Sequence, residues 1–161
     1  MATERFTFFW NGPFSQWAAS PFLVGGKRFT HAEQFMMHCK AVLFGDGQTA
    51  LAILAAKTPK EQKALGRDVK GFDPNVWEAF REGIVYTGSY AKFSQNADLR
   101  EELLATRDTT LVEASPYDNI WGIALAAHDP RALDRSQWLG LNLLGIALTR
   151  VRLILEYEEM R

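Results

Sequence analysis

The sequence predicts a compact, mainly α-helical single domain, residues 1–161, with a few short N-terminal and central strands. Capped segments with apolar residues at helical spacing follow one another along most of the chain after residue 30. Runs typical of strands are confined to the first thirty residues and to one central stretch. A length of 161 residues suits one domain with a substantial core.

Three segments have the pattern of strands. The run "RFTFFW" (5–10) predicts a strand, and "FLVGGKRF" (22–29) predicts a hairpin with Gly25-Gly26 at its turn. The run "TLVEASP" (110–116) predicts a short strand or extended piece, because its proline ends regular pairing.

The stretch "THAEQFMMHCKA" (30–41) predicts a helix that ends near "GDG" (45–47). Thr30 and Glu33 fit a capping box, in which two side chains satisfy each other's backbone N–H groups. The apolar stripe on the core side of this helix consists of Phe35, Cys39 and Val42. Glu33 and Lys40 project along nearly one line at the border of that stripe. Spacing alone favours the capping role for Glu33 over a place on the wall of a cleft.

A second predicted helix, "TPKEQKALG" (58–66), opens with Thr58 as cap and Glu61 closing a capping box. Gly66 is its predicted terminator. Basic side chains gather around this end of the helix: Lys63, Arg67 and Lys70. Such a cluster is either a solvated face or a phosphate-binding edge, because lysine and arginine supply paired donors to phosphate oxygens. Lys92, beside Phe93, adds a further cation.

Three more segments have helical patterns: "DPNVWEAFREGIVY" (73–86), "NADLREELLATR" (96–107) and a long C-terminal run (136–160). The first begins at Asp73 and carries an apolar stripe of Trp77, Phe80 and Ile84. The last contains two glycines, which weaken a helix and therefore indicate close packing by another backbone or a ligand: Gly140 and Gly145.

Composition excludes several classes of protein. A formal net charge of −1 gives no global basic field for nucleic acid, although it leaves room for a local basic cleft. The single cysteine excludes an internal disulfide framework, and no Cys/His cluster has metal-site spacing, so we expect no metal and no cofactor. No signal-peptide pattern begins the chain, and the longest apolar stretch (139–148) is too short for a membrane span. We expect a cytoplasmic protein without a membrane partner.

The stretch "EASPYDNIWG" (113–122) leaves two interpretations open. Asp118 caps a short helical turn that begins at Asn119, or it handles a proton at a site where the Trp121 ring stacks on a heteroaromatic base. Common nucleotide and hydrolase signatures are absent: the sequence has no Walker loop, no GxGxxG after a strand, no GxSxG and no HExxH.

The motifs "KRFTHAEQFMMHCKAVLFGD", "VWEAFREGIVYTGSYAKFSQN", "LLATRDTTLVEASPYDNIWGIAL" and "WLGLNLLGIALTRVR" occur in this order. Together with "FFWNGPFSQWAASPF" and "AAKTPKEQKALGRDV" they resemble the NADAR family, also called YbiA-like, over about residues 6 to 155. The resemblance implies a YbiA-like fold and N-glycosidase activity. Its substrates would be the aminopyrimidine ribose 5-phosphates of the riboflavin pathway, cleaved to ribose 5-phosphate and a free aminopyrimidine.

Motif matching with the family carries functional roles onto eight residues. The catalytic set is Glu33, Asp118 and Lys40. The substrate-binding set is Trp77, Trp121, Lys57, Arg67 and Lys92. No metal ligand is implied. With the resemblance added, a functional role for Glu33 is favoured over the capping role.

The chemistry of the implied reaction suits a carboxylate beside an amine. Breaking a ribosyl C–N bond develops oxocarbenium character on the sugar and negative charge on the leaving base. Glu33 would stabilise the first or activate water, and Lys40 could instead attack the sugar carbon as a Schiff-base nucleophile. Two other hypotheses remain: an ADP-ribosyl-guanine hydrolase acting on DNA or RNA, and a non-catalytic binder of ADP-ribose-like nucleotides. Nucleic acid is a partner only in the first of these; otherwise the partner is a small-molecule substrate.

Overall fold

The computed structural model describes residues 3–161, and two compact units are distinguished within them. The central unit is Gln16–Asn96, and the flanking unit comprises residues 3–15 and 97–161. Elements of the central unit are β2 (Ala19–Val24), β3 (Lys27–His31), α1 (Ala32–Leu43), α2 (Gly47–Ala55), α3 (Pro59–Arg67) and α4 (Pro74–Gln95). Elements of the flanking unit are β1 (Phe6–Phe9), α5 (Ala97–Leu104), β4 (Thr110–Glu113) and α6 (Leu143–Glu159). The predicted class, mainly α with a few short strands, is confirmed.

The predicted hairpin is present as the antiparallel pair β2–β3, with Phe22 opposite Phe29. Gly25 and Gly26 occupy the turn with φ values of 57° and 77°. Two successive positive φ angles are those of a type I′ turn, which matches the twist of the flanking strands and which glycine adopts without steric cost.

The core of the central unit is aromatic. Phe22, Phe29, Phe35 and Ala91 are buried together, and the rings of Phe29 and Phe35 meet edge to face with centroids 5.1 Å apart. A Cβ atom on Gly88 of α4 would overlap the Phe35 ring. Glycine at this position therefore lets α4 approach α1 closely.

Helix α1 is confirmed, but its start and its buried face differ from the sequence prediction. The N-cap is His31 rather than Thr30, and the Thr30 N–H donates to Gln34 Oε1 at 2.8 Å. The expected capping box between Thr30 and Glu33 is therefore wrong, because the helix begins one residue later. Val42, expected in the core, is 58% exposed. The buried face instead comprises residues 32–38 with Ala41.

Helix α3 begins as predicted, with Thr58 Oγ1 accepting the Glu61 N–H at 3.2 Å. Its predicted terminator is wrong, because α3 continues through Gly66 to Arg67. The glycine has a packing role instead: a Cβ there would overlap the Met37 side chain of α1, with Cγ only 2.8 Å away.

Helix α4 begins at the predicted position, where the Asp73 side chain accepts the Asn75 N–H at 2.9 Å. It extends to Gln95, nine residues beyond the predicted end at Tyr86. Phe80, expected in its apolar stripe, is 53% exposed. The buried face of α4 lies mainly in its second half, beyond the stripe predicted from the sequence.

In the flanking unit, β1 pairs in parallel with β4, so the two predicted strands form one small sheet. Helix α5 is confirmed, whereas α6 begins at Leu143 rather than at 136. Its N-cap, Asn142, has a φ of 53° and donates through Nδ2 to Leu111 O at 3.0 Å. Short 3-10 turns, Pro130–Leu133 and Arg135–Gln137, occupy part of the segment before it.

The expected close packing at the two C-terminal glycines is confirmed, and the packing group is backbone. A Cβ on Gly140 would overlap the Gly122 carbonyl oxygen. A Cβ on Gly145 would overlap the Leu111 carbonyl oxygen and the Asn142 amide. Both glycines therefore allow segments of the flanking unit to touch through their main chains.

Within residues 3–161, no helix is long and apolar enough to cross a membrane. Over the same range, the structure brings no three His, Cys, Asp or Glu side chains into an arrangement that could hold a metal ion.

Candidate active site

Glu33 lies in the first turn of α1 and is 4% exposed. Its backbone N–H donates to the Gln16 carbonyl at 3.0 Å, which fixes the helix start against the preceding loop. The positive end of the helix dipole favours a negative charge in this turn. The fold therefore holds a carboxylate at a buried helix N-terminus.

Lys40 lies on the same face of α1, two turns after Glu33. Its Nζ donates a hydrogen bond of 2.7 Å to the Gly66 carbonyl oxygen of α3. Burial lowers the pKa of the Lys40 ammonium, and the negative charge of Glu33 opposes that shift. The two charges are thus near enough to influence each other, and burial makes the amine more easily deprotonated than an ordinary lysine.

Two aromatic rings complete the surroundings of the Lys40 ammonium. Its Nζ lies 4.6 Å from the ring centroid of Phe72 and 5.7 Å from that of Trp77. Both distances suit a cation–π contact. Trp77 is half-buried and Phe72 is 44% exposed, so each ring keeps a surface that a ligand can reach.

The arrangement around α1 suits cleavage of a bond between a sugar and a flat base. The carboxylate of Glu33 can stabilise a developing cation or activate water, and the amine of Lys40 can move a proton or act as a nucleophile. The exposed edges of Trp77 and Phe72 offer flat apolar surface for a heteroaromatic ring.

Lys92 differs from the other predicted cationic residues because it is 1% exposed. Burial lowers the pKa of its ammonium to about 7. His31 lies near enough for the two groups to interact: burial lowers the pKa of His31, and the charge of Lys92 lowers it further. Lys92 is thus a desolvated amine inside the central unit, a setting that the sequence did not indicate.

Lys57 and Arg67, the other predicted cations, are both exposed. Arg67 is the last residue of α3 and follows the Gly66 carbonyl that accepts from Lys40. Lys63, on the same helix, places its Nζ 5.9 Å from the ring centroid of Trp17. The exposed face of α3 is therefore basic.

Asp118 and Trp121 belong to the flanking unit and lie in one turn. Asp118 Oδ1 accepts the backbone N–H groups of Ile120 at 2.9 Å and Trp121 at 2.8 Å. Asp118 Oδ1 therefore satisfies backbone N–H groups as a cap does, but residues 119–122 form a bend rather than the expected helical turn beginning at Asn119. Its catalytic role stays a prediction, as does base stacking by Trp121, which is half-buried.

Several groups in this site were missed in the sequence. They are the Gly66 carbonyl, the Phe72 ring and two buried amides, Gln34 and Gln62. A glycine inside an otherwise helical pattern indicates close packing, and Gly66 is such a glycine. No local sequence pattern indicates the other three groups, because their contacts are with residues far away in the sequence.

The fold and the site together define a small, mostly helical protein. Its candidate site has a buried carboxylate and a half-buried amine on one helix face, with two aromatic rings near the amine. Comparison with known proteins identifies the family. A model of the NADAR domain matches residues 8–156, which extend over both units, and the chain belongs to the NADAR domain family.

Named relatives agree on the class of enzyme. N-glycosidase R617 of Acanthamoeba polyphaga mimivirus is 39% identical over 165 residues, covering 94% of this chain and 97% of the relative. N-glycosidase YbiA of Escherichia coli strain K12 is 32% identical over 148 residues, covering 92% of this chain and 84% of the relative. The NMR structure of E. coli YbiA superposes with a TM-score of 0.80 at 29% identity, covering 100% of this chain and 90% of that one. The enzyme class of the chain is that of an N-glycosidase.

Proposed function

We propose that the chain hydrolyses the ribosyl C–N bond of phosphoribosyl aminopyrimidines, the early intermediates of riboflavin biosynthesis. The products are ribose 5-phosphate and a free aminopyrimidine. The observation that carries the proposal is the pairing of buried Glu33 with Lys40 on one face of α1, next to Trp77. The pair supplies a negative charge for the sugar cation and a group able to move a proton.

Two routes are compatible with this pair. In the first, Glu33 takes a proton from water, the water oxygen bonds to the anomeric carbon, and the C–N bond breaks as the Lys40 ammonium gives a proton to the leaving nitrogen. In the second, the neutral Lys40 amine bonds to the anomeric carbon as the bond to the aminopyrimidine breaks, and one amine proton goes to the leaving nitrogen. The other amine proton goes to the ring oxygen as the sugar ring opens to an imine, and water hydrolyses the imine to release the sugar and the amine. The lowered pKa of Lys40 supports the second route, because only a neutral amine is a nucleophile.

We assign the remaining predicted residues to binding. Trp77 and Trp121 would contact the flat aminopyrimidine. Lys57 and Arg67, which are exposed, would contact the 5-phosphate. Lys92 would donate a hydrogen bond to the substrate, and burial lowers the pKa of its ammonium to about 7. Asp118 is proposed as the second carboxylate of the reaction.

A second candidate function, removal of ADP-ribose from guanine in DNA or RNA, draws support from the basic face of α3. There the exposed Lys63 lies beside Trp17, a combination that suits a phosphate next to a base. The net charge of −1 argues against strong binding to duplexes. A non-catalytic binder of ADP-ribose-like nucleotides is a third candidate, which predicts binding without release of sugar.

The test is to incubate purified protein with each substrate and to follow the products by mass spectrometry. Release of ribose 5-phosphate from the aminopyrimidine substrate supports the proposal, and release of ADP-ribose from modified guanine alone supports the second candidate. Glu33→Gln should lower turnover by about two to four orders of magnitude. Glu61→Gln, the same change in the exposed first turn of α3, is the matched control.

Two properties complete the proposal. Hydrolysis is expected to persist in excess EDTA, as predicted from the lack of metal-site spacing in the sequence. The proposed location of the protein is the cytoplasm, where a free thiol stays reduced. Burial raises the pKa of the Cys39 thiol to about 11, so this cysteine is protonated and unreactive at neutral pH.

A further inference from the structure

We infer that Gln34 is a positioning residue that holds Glu33 in place, with Thr30 and Gln62 as its partners. The inference rests on the proposed role of Glu33 and extends it to side chains that do not touch the substrate. The feature that points to it is a chain of hydrogen bonds through two buried amides at the start of α1. Gln34 is 1% exposed and Gln62 is 0% exposed.

The side chain of Gln34 joins the β3–α1 junction to the end of α2. Its Oε1 accepts the Thr30 N–H at 2.8 Å and the Thr30 hydroxyl at 3.2 Å. Its Nε2 donates to the carbonyls of Ile53 at 3.0 Å and Leu54 at 3.2 Å. The Ile53 carbonyl also accepts the Ala56 N–H at 3.2 Å, whereas the Leu54 carbonyl is one of the last carbonyls of α2, which lack partners from within the helix. The amide of Gln34 therefore supplies a donor to the end of α2.

Gln62 of α3 extends the network. Its Nε2 donates to the Ala56 carbonyl at 3.0 Å and reaches Thr30 Oγ1 at 3.4 Å. Ala56 O also lies 3.4 Å from Gln34 Nε2, so both amides meet at one carbonyl. Three helices are thereby tied to the residue that precedes the N-cap of α1.

The backbone of Glu33 is held on both sides. On one side its N–H donates to Gln16 O at 3.0 Å, and on the other its peptide continues into Gln34. Loss of the side-chain hydrogen bonds of Gln34 would allow the first turn of α1 to shift. A shift of about 1 Å in a reacting group costs roughly a hundredfold in rate, because the productive geometry is narrow.

The two ends of the Gln62 amide differ in their partners. Its Oε1 atom is buried and has no hydrogen-bond partner among residues 3–161. An unsatisfied buried acceptor is unfavourable, and methionine would fill a similar volume without that atom. The favourable contribution of the amide therefore comes through Nε2, which holds Ala56 and Thr30.

A double-mutant cycle tests the inference with the full chain and the aminopyrimidine substrate. Gln34→Met should lower kcat about 10- to 100-fold with KM changed less than about threefold, since the substrate contacts stay intact. In the Glu33→Gln background the same substitution should cause no further loss, because the group that it positions is already gone. The matched control is Gln95→Met, which removes two hydrogen bonds of 2.8 Å to Leu23 and should leave kcat unchanged.

Each alternative result has a distinct meaning. Unchanged kcat in Gln34→Met, or an equal loss in both backgrounds, overturns the inference. If Gln34→Met does not fold, Gln62→Met takes its place in the cycle with an expected three- to tenfold loss of kcat, and unchanged kcat there overturns the inference as well. A wild-type rate in Glu33→Gln alone overturns the proposed role of Glu33, so the two failures are told apart.

Discussion

The Gly66 carbonyl oxygen of α3 accepts a 2.7 Å hydrogen bond from Lys40 Nζ, while a Cβ on the same glycine would overlap Met37 of α1. One residue of α3 therefore sets both the distance between the two helices and the position of the amine. Gly66 is the second-last residue of α3, so its carbonyl is among the last-turn acceptors that lack a partner within the helix. The Lys40 ammonium supplies a donor to this carbonyl.

Lys40→Met should lower kcat/KM by about two to four orders of magnitude, because both proposed routes use the amine. Lys40→Arg should not restore the rate, since a guanidinium does not lose its proton and cannot form an imine. The measurement is product release by mass spectrometry, with the exposed Lys63→Met as control. A Lys40→Met enzyme within tenfold of the wild type would mean that the amine only supports the fold.

Gly66→Ala should destabilise the protein by about 1–3 kcal/mol, because the new methyl group overpacks the contact with Met37. Gly83→Ala in α4 should instead increase the free energy of unfolding, because nothing lies within 4 Å of an added Cβ there. There alanine should stabilise by about 0.5–1 kcal/mol through its helix propensity. Urea unfolding of both variants provides the comparison.

The cause of the Gly66 effect can be isolated in a Met37→Ala background. With the long side chain removed, Gly66→Ala should lose its penalty or become stabilising. A penalty that persists without Met37 would place the strain in the backbone rather than in this contact.

Most of the fold could be predicted because its signals are local. The Gly25-Gly26 turn, the Thr58 cap and the Asp73 cap each depend on a few neighbouring residues, and all three are confirmed. The start of α6 could not be predicted in this way. Apolar spacing continues through 136–142, but close backbone packing at Gly140 and the left-handed φ of Asn142 delay the helix.

The candidate site could be predicted only where it follows the periodicity of one helix. Glu33 and Lys40 share a face of α1 because seven residues make about two turns. Phe72 and Trp77 reach the same amine from 32 and 37 residues further along the chain, which no local pattern indicates. The burial of Lys92 is likewise a property of tertiary packing, which its place beside Phe93 does not by itself indicate.

The buried amine of Lys92 should make stability depend on pH. Its pKa is about 7 in the folded protein and about 10.4 in an unfolded chain, so between these values the unfolded state binds the extra proton. The free energy of unfolding of the wild type should therefore rise with pH relative to Lys92→Met, by roughly 2 kcal/mol from pH 7 to pH 9. Below pH 7 the full cost of burying the charged form remains.

Urea unfolding at several pH values measures this difference. Lys57→Met, which removes one exposed ammonium, controls for the loss of a positive charge. A constant difference between wild type and Lys92→Met across this range would show that the amine stays protonated in the folded protein.

The capping role and the proposed catalytic role of Asp118 can be tested separately, because they depend on different properties of the carboxylate. As a cap it needs only an oxygen that accepts the N–H groups of Ile120 and Trp121. Asparagine keeps such an oxygen and is about as good a cap, whereas alanine removes it at a cost of about 1 kcal/mol. As a catalytic group it needs the negative charge or the proton, which both substitutions remove.

We expect Asp118→Asn to keep a melting temperature close to that of the wild type and to lose activity by about two to four orders of magnitude. Asp118→Ala should lose a similar amount of activity and in addition unfold at lower temperature. Thermal unfolding and release of ribose 5-phosphate, measured on the same preparations, give both quantities. Full activity in Asp118→Asn together with a lowered melting temperature in Asp118→Ala would reduce Asp118 to a cap, and Glu33 would then be the sole carboxylate of the proposed mechanism.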